Sequence, residues 1–257
     1  LDGSKAPVLG TEAELHAQLG VSYVPPHLRE TAEGLLAGVE DRIPALVEAD
    51  DLKGVLHVHT LWSDGSGTVE QMVQQAVDLG YDYIGISDHS QAADYANGLS
   101  SDRVRAQREE IEAAREAFPQ IRVYHGIEAD ILTDGSLDLD DGLLEELDFV
   151  IASVHMQLGM EREKMTKRIV RALSHPTVRV FGHPEGRKLL KRDASQFDWE
   201  AILDAAEKNS VAIEVNGSPQ RLDANWVRIR RIRARGLKLC VNPDAHSMTA
   251  LDNAARF

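Results

Sequence analysis

From about residue 53 to the end of the 257-residue chain, seven short apolar runs alternate with amphipathic segments of helical period, and a histidine or an acid follows nearly every run. The runs at 53–59, 83–87, 122–128, 149–154, 178–182, 211–216 and 237–242 read as strands. Short, nearly continuous apolar strands separated by helices are the pattern of a parallel sheet covered on both faces. The segments between them carry helix signals. Thr68 and Gln71 form a capping-box pair, Val69, Met72, Val73, Ala76 and Val77 make one apolar stripe, and Gly80 stops it. Helices are likewise expected over 103–117, 142–146, 165–173, 199–207 behind Asp198, and 225–235 ahead of Gly236.

The placement of polar residues chooses between an open sheet and a closed one. An open doubly wound sheet gathers its site at one switch point, whereas in a barrel all the strand ends converge on one mouth. Here polar residues follow nearly all the strands, and no glycine-rich phosphate loop follows the first. A closed barrel is expected. Its mouth would collect His57 and His59, which lie two apart and so share a face of their strand, then Asp64 in a Gly/Ser-rich loop, His89, Glu128, His155, His183, Asp244 and His246.

Singly, each of these histidines would read as a hydrogen-bonded core or loop residue. Their recurrence at successive strand ends points instead to a multinuclear metal centre. A mixture of histidine and carboxylate without cysteine suits Zn²⁺, Mn²⁺ or Fe²⁺ better than Ca²⁺ or a structural zinc knot. His57, His59, Glu128 and Asp244 can share one ion, Glu128 can bridge to a second beside His155, and Asp64 with His89 leaves ligands for a third. Asp88 reads as a partner that orients its neighbour His89. His125 lies at odd spacing from Glu128 and faces the other way; it, His16, His27 and His175 are given no role.

The formal charge of −14 argues against a surface built for nonspecific nucleic-acid binding, although bound cations would offset some of those carboxylates. The single cysteine, Cys240, lies in an apolar strand and reads as a buried inert thiol, which fits a reducing cytoplasm. No apolar run reaches membrane-spanning length and no export signal is visible. The first residue is Leu rather than Met, which suggests a fragment or processed chain. Residues 1–50 carry a short capped helix from Thr11, a break at Pro25-Pro26 and a second amphipathic helix with Leu35, Leu36, Val39, Ile43 and Leu46. That is too little for a core, so 1–50 read as the end of a preceding domain plus linker, and 51–257 as the main domain.

The set His57-Val-His59, Asp64, Asp88-His89, Glu128, His155, His183 and Asp244-Ala-His246 resembles the polymerase-and-histidinol-phosphatase (PHP) domain over about residues 52–257. The resemblance implies a distorted (β/α)7 barrel with three divalent metal ions, Zn or Mn with Fe possible, that hydrolyses phosphoesters. It also implies that His183 joins Glu128 and His155 at the second ion and that His246 joins Asp64 and His89 at the third. The segments 88–100, 182–187 and 214–223 are similar to the PHP domain at the C-terminus of bacterial family X DNA polymerases, and 11–30 to the end of that polymerase's thumb. Implied with it are 3′→5′ exonucleolysis and 3′-end processing in DNA repair, with DNA 3′ ends and a polymerase domain as partners. No polymerase palm is present in the sequence, so polymerisation is not expected.

Arg187 and Arg221, in the loops after the fifth and sixth strands, are the candidates for gripping the phosphate being cut. Two alternatives share the pattern: a small-molecule phosphatase such as histidinol-phosphate phosphatase, and a metal-stabilised support domain without activity. The polymerase-like tail and the arginine loops speak against the first, and the complete ligand set against the second.

Overall fold

In the computed structural model, which describes residues 10–256, seven strands hydrogen-bond in the order of the sequence, each parallel to the next. They are β1 (Gly54–Val55), β2 (Tyr83–Ile86), β3 (Arg122–Asp130), β4 (Phe149–Ser153), β5 (Val178–Phe181), β6 (Ala212–Asn216) and β7 (Leu239–Asn242). The helices are α1 (Glu12–Gln18), α2 (Ala32–Val39), α3 (Val69–Asp78), α4 (Ser101–Ala117), α5 (Asp141–Glu145), α6 (Arg162–Leu173), α7 (Trp199–Asn209) and α8 (Trp226–Ala234). One helix follows each of the first six strands. The capping box of Thr68 and Gln71 forms as expected, and so does the cap by Asp198; Asn225, expected as the first residue of its helix, caps it instead.

The strand expected over 53–59 pairs with β2 only through Val55. Beyond that point the backbone bonds elsewhere: His59 N–H donates to the Ala245 carbonyl at 2.8 Å, and Ala245 N–H to the His57 carbonyl at 3.1 Å. This parallel bridge across Val58 and Ala245 joins the first strand to the segment after the last. The sheet thereby becomes a nearly closed, distorted (β/α)7 barrel, and its seam lies at the mouth.

Alternation along β3 separates inside from outside. Val123, Ile127 and Ala129 pack outward into the two clusters shared with the helices. On the inner face, Tyr124 joins Phe149, Ile151, Val180, Leu56 and Cys240 in an apolar floor near the N-terminal strand ends. Gly85 and Gly126 make room for it, since a Cβ on either would lie 2.6 or 2.4 Å from the Phe149 ring. Above this floor the inner face turns polar at Glu128.

The chain forms two compact units, one ending at Val47 and the other beginning at Glu48. Residues 1–9 of the expected N-terminal segment lie outside the described residues. The helix expected to run through Leu46 stops at Val39, because Asp41 takes a left-handed φ of 52° and Pro44 follows. Val24 is the one buried apolar side chain among the described residues of this first unit. After β7 the chain continues in 3-10 turns over Met248–Arg256, which bury Leu251 and Ala254 in the cluster that includes α3.

Candidate metal centre

All nine residues expected at the mouth meet there. Glu128, wholly buried at the end of β3, is the hub. Its Oε1 lies 2.9 Å from His183 Nε2, 3.2 Å from His57 Nε2 and 3.3 Å from His155 Nε2. Its Oε2 lies 2.9 Å from His89 Nδ1 and 3.7 Å from His59 Nε2. Asp244 Oδ1 stands 3.3 Å from His59 Nε2, and Asp64 Oδ1 stands 3.4 Å from His246 Nε2 and 3.7 Å from His89 Nε2. His183 and Asp244 hold left-handed φ values of 23° and 52°, a backbone cost borne at two positions that aim side chains inward.

The ligand atoms fall into four overlapping groups of metal-binding spacing: His59–Asp64–His89–His246, His57–His59–Glu128, His57–His183–Asp244 and His89–Glu128–His155. The first contains the three residues expected at a third ion. His183 groups with His57 and Asp244, although its Nε2 is also close to Glu128.

Charge at the centre is balanced against burial. Burial alone would raise Glu128, but His155, His57 and His89 outweigh it and hold the carboxyl well below its usual range. Asp244 is lowered in the same way against burial, by His57, His59 and Arg221. Burial opposes charge on His155, yet Glu128 and Asp130 bring it up to about 10. His57 is likewise raised against burial, by Glu214, Glu128 and Asp244. His59, buried beside His89 and His246, falls to about 3, and His183, buried near Arg221, to about 4.

These residues fit metal ions. His57 Nε2, both ring nitrogens of His59, His89 Nδ1, His155 Nε2, His183 Nδ1 and Glu128 Oε2 are buried without a hydrogen-bond partner. Each such atom costs about 1–3 kcal/mol when left unpaired. So many in one place suit a site that cations complete.

Two supporting carboxylates were not legible as such in the sequence. Glu214 on β6 accepts from His57 Nδ1 at 2.7 Å, from the His183 N–H at 2.6 Å, and from the amides of Asn216 and Asn242 at 3.0 and 2.9 Å. Asp130 lies two residues beyond Glu128 on the same face of β3, with Oδ2 3.2 Å from His155 Nδ1. Such carboxylates fix the ring tautomer and orientation of a ligating histidine. The only signal for Asp130 was its spacing from Glu128. Glu214→Gln and Asp130→Asn should each weaken metal retention by roughly 10–100-fold, with Glu214→Gln the greater because it holds four donors. Competition against a chromogenic chelator measures this, and unchanged retention would reduce both to packing residues.

Asp88 does not orient His89. Its carboxylate accepts from the N–H and hydroxyl groups of Thr60 and Ser63 and from the Gln107 amide, so it anchors the turn leading to Asp64. His125 does face away from the mouth, with Nε2 3.1 Å from Gln107 Oε1.

The two arginines differ. Arg221 Nε lies 3.0 Å from Asp244 Oδ2, while its Nη1 is buried without a partner. It lines an open cleft of about 410 Å³ together with Asp64, His89, Tyr95, His155, Lys188 and others. Arg187 donates Nε to the Arg221 carbonyl at 3.0 Å and Nη2 to the Leu222 carbonyl, so it holds the backbone that carries Arg221.

A barrel whose strand-end histidines and acids gather round one buried glutamate has a counterpart among known domains. A profile of the PHP domain matches residues 56–218, and the chain belongs to the PHP family of phosphoesterase domains. It is 36% identical over 243 residues to the DNA polymerase/3′-5′ exonuclease PolX of Bacillus subtilis, a match covering 95% of this chain and 42% of that protein. A protein named "Probable phosphatase" from Thermoanaerobacter sp. (strain X514) is 29% identical over 202 residues, 74% of this chain and 77% of its own length. The fold is also that of a histidinol phosphate phosphatase from Lactococcus lactis subsp. lactis, solved with zinc, L-histidinol and phosphate. That match has a TM-score of 0.51 at 16% identity and covers 79% of this chain and 91% of that one. No helix among the described residues is long and apolar enough to cross a membrane.

Proposed function

We propose that this domain hydrolyses phosphodiester bonds at the 3′ ends of DNA, removing nucleotides 3′→5′ and clearing modified termini during repair, as the PHP part of a cytoplasmic family X polymerase. The observation that carries this reading is the likeness to PolX, which runs over 95% of the chain and so beyond the barrel itself.

His57, His59, Glu128 and Asp244 would hold one divalent ion, Glu128, His155 and His183 a second, and Asp64, His89 and His246 a third; zinc, manganese and iron all suit these donors. When bound, such ions polarise a phosphoryl oxygen and supply a nucleophile at neutral pH. The chain's own residues do the rest. Glu214 and Asp130 keep the Nδ1 atoms of His57 and His155 engaged, so that the Nε2 atoms face the mouth. Asp244 fixes the Arg221 guanidinium through Nε, which leaves Nη1 to donate to a non-bridging phosphate oxygen. Arg187 positions Arg221 through its carbonyl.

Arg221→Ala should weaken transition-state binding by about 1.5–3 kcal/mol, the range for a charge-assisted hydrogen bond. That is roughly ten- to hundredfold in kcat/KM. Arg187→Ala should act through the same contact, so the double variant should lose much less than the product of the single losses. Fully multiplicative losses would give the arginines separate duties. The reading as a whole is tested by offering the metal-loaded protein a labelled single-stranded oligonucleotide and histidinol phosphate side by side. Stepwise shortening from the 3′ end is expected. Rapid release of phosphate from histidinol phosphate with intact DNA would make the domain a small-molecule phosphatase.

A further inference from the structure

Beside the mouth, the loop between β5 and α7 builds a second hollow of about 480 Å³, of which the chemistry above uses only Arg187. It is lined by consecutive residues from Arg187 to Ala194, with Asp193 its one acid. Lys188 lines both this hollow and the mouth, so the two clefts share a wall. In a chain of net charge −14, a run of Lys188, Lys191 and Arg192 beside a cleft that already holds Arg221 is a local reversal of sign. Among the described residues none of these three pairs with a carboxylate, whereas most arginines of the barrel's outer surface do. Lys188 and Arg192 are both lowered, first by burial and then by the Arg221 charge, as expected of cations crowded into one field.

The loop is held in place. Lys188 and Arg192 exchange backbone hydrogen bonds at 3.0 and 2.8 Å, Leu189 N–H donates to the Gln220 carbonyl at 2.7 Å, and Arg192 Nε donates to the Gly186 carbonyl at 2.8 Å. Leu189 and Leu190 stand exposed at its tip. Tyr95, also on the mouth, is 69% exposed although its ring lies 6.2 and 6.4 Å from those of His89 and His155. A fixed row of cations and an exposed aromatic ring, on two clefts that share Lys188 as a wall, are the two parts of a site for single-stranded nucleic acid. A small phosphate ester would need neither.

We propose that the β5–α7 loop and Tyr95 form a polynucleotide subsite, in which Lys188, Lys191 and Arg192 hold backbone phosphates of the nucleotides that remain after cleavage and Tyr95 stacks on a base. This rests on the reading of the domain as a hydrolase of DNA 3′ ends. The test compares kcat/KM on a single-stranded oligonucleotide about a dozen nucleotides long with that on thymidine 5′-p-nitrophenyl phosphate, across a range of salt. Lys188→Gln/Lys191→Gln should lose about tenfold more on the oligonucleotide than on the small diester. It should also flatten the oligonucleotide's log–log salt dependence by about 1.4, two contacts at ~0.7 each. Tyr95→Ala should cost a further factor of about ten on the oligonucleotide alone, and Tyr95→Phe should keep the wild-type ratio. Equal losses on both substrates, or an unaltered salt slope, would overturn the subsite while leaving the DNA reading intact. A wild-type protein that cleaves the small diester but no oligonucleotide would overturn the DNA reading and the subsite with it.

Discussion

Glu128→Ala is expected to bring phosphoester hydrolysis down to background while the barrel remains folded. Its two oxygens approach five histidines, drawn from both sides of the mouth. No other carboxylate at the mouth approaches so many. Loss of a supporting carboxylate costs roughly 10–100-fold, and loss of the hub should cost far more if, as proposed, it serves two ions. Glu128→Gln keeps the shape but not the charge, and serves as the control against misfolding. Metal analysis should find the centre depleted in both variants. Near-normal hydrolysis with a full metal complement would remove Glu128 from its bridging place.

Removing the metals should lower the melting temperature sharply, and by an amount that grows with pH. An ion present at a thousandfold above its dissociation constant adds about 4 kcal/mol of stability. For a domain of this size that corresponds to roughly 8–16 °C for each ion. The direction with pH follows from the histidines. Without ions His155 is raised from its ordinary 6.5 to about 10, so its proton stabilises the fold fully below 6.5, and that contribution is lost as pH rises toward 10. His57 is raised for the same reason, by the carboxylates that surround it. Ions bind the deprotonated rings, and their grip strengthens over the same interval. The gap in melting temperature between loaded and chelated protein should therefore widen from pH 6.5 upward. Chelation without effect on melting would show that the cluster is held together by its protons alone, and a gap that narrows over that window would overturn the direction with pH.

The barrel and the cluster of histidines and acids at its mouth were legible in the sequence because both follow from position along short strands. Apolar runs of the right length set the sheet, and the first polar residue past each run had to reach the mouth. What could not be read depends on where backbone groups find partners. The segment 56–59 keeps one backbone bond to Ser87, just past β2, and turns its others to Ala245, and nothing local announces this. Asp88 adjoins His89 in sequence, but neighbouring residues on an extended chain point to opposite faces, and its carboxylate went to Thr60 and Ser63. Glu214 looks like any acid in a strand until the histidine opposite it is in place. Arg187 was a candidate for the phosphate because its loop follows the fifth strand at the mouth; its Nε and Nη2 go to two carbonyls of the neighbouring loop.

The seam that closes the barrel also sets the order of events in folding. Where it shuts, the Leu56 N–H donates to the side chain of Asn242, a residue 186 positions further along. No early stretch of the chain can assemble the site, since His57 and His59 wait for Asp244 and His246 to arrive. Contacts of such long sequence separation are late and slow to form, because the entropy of closing the intervening loop must be spent first. Ions bound across the seam are then expected to slow unfolding more than they speed folding, which unfolding rates with and without chelator would measure.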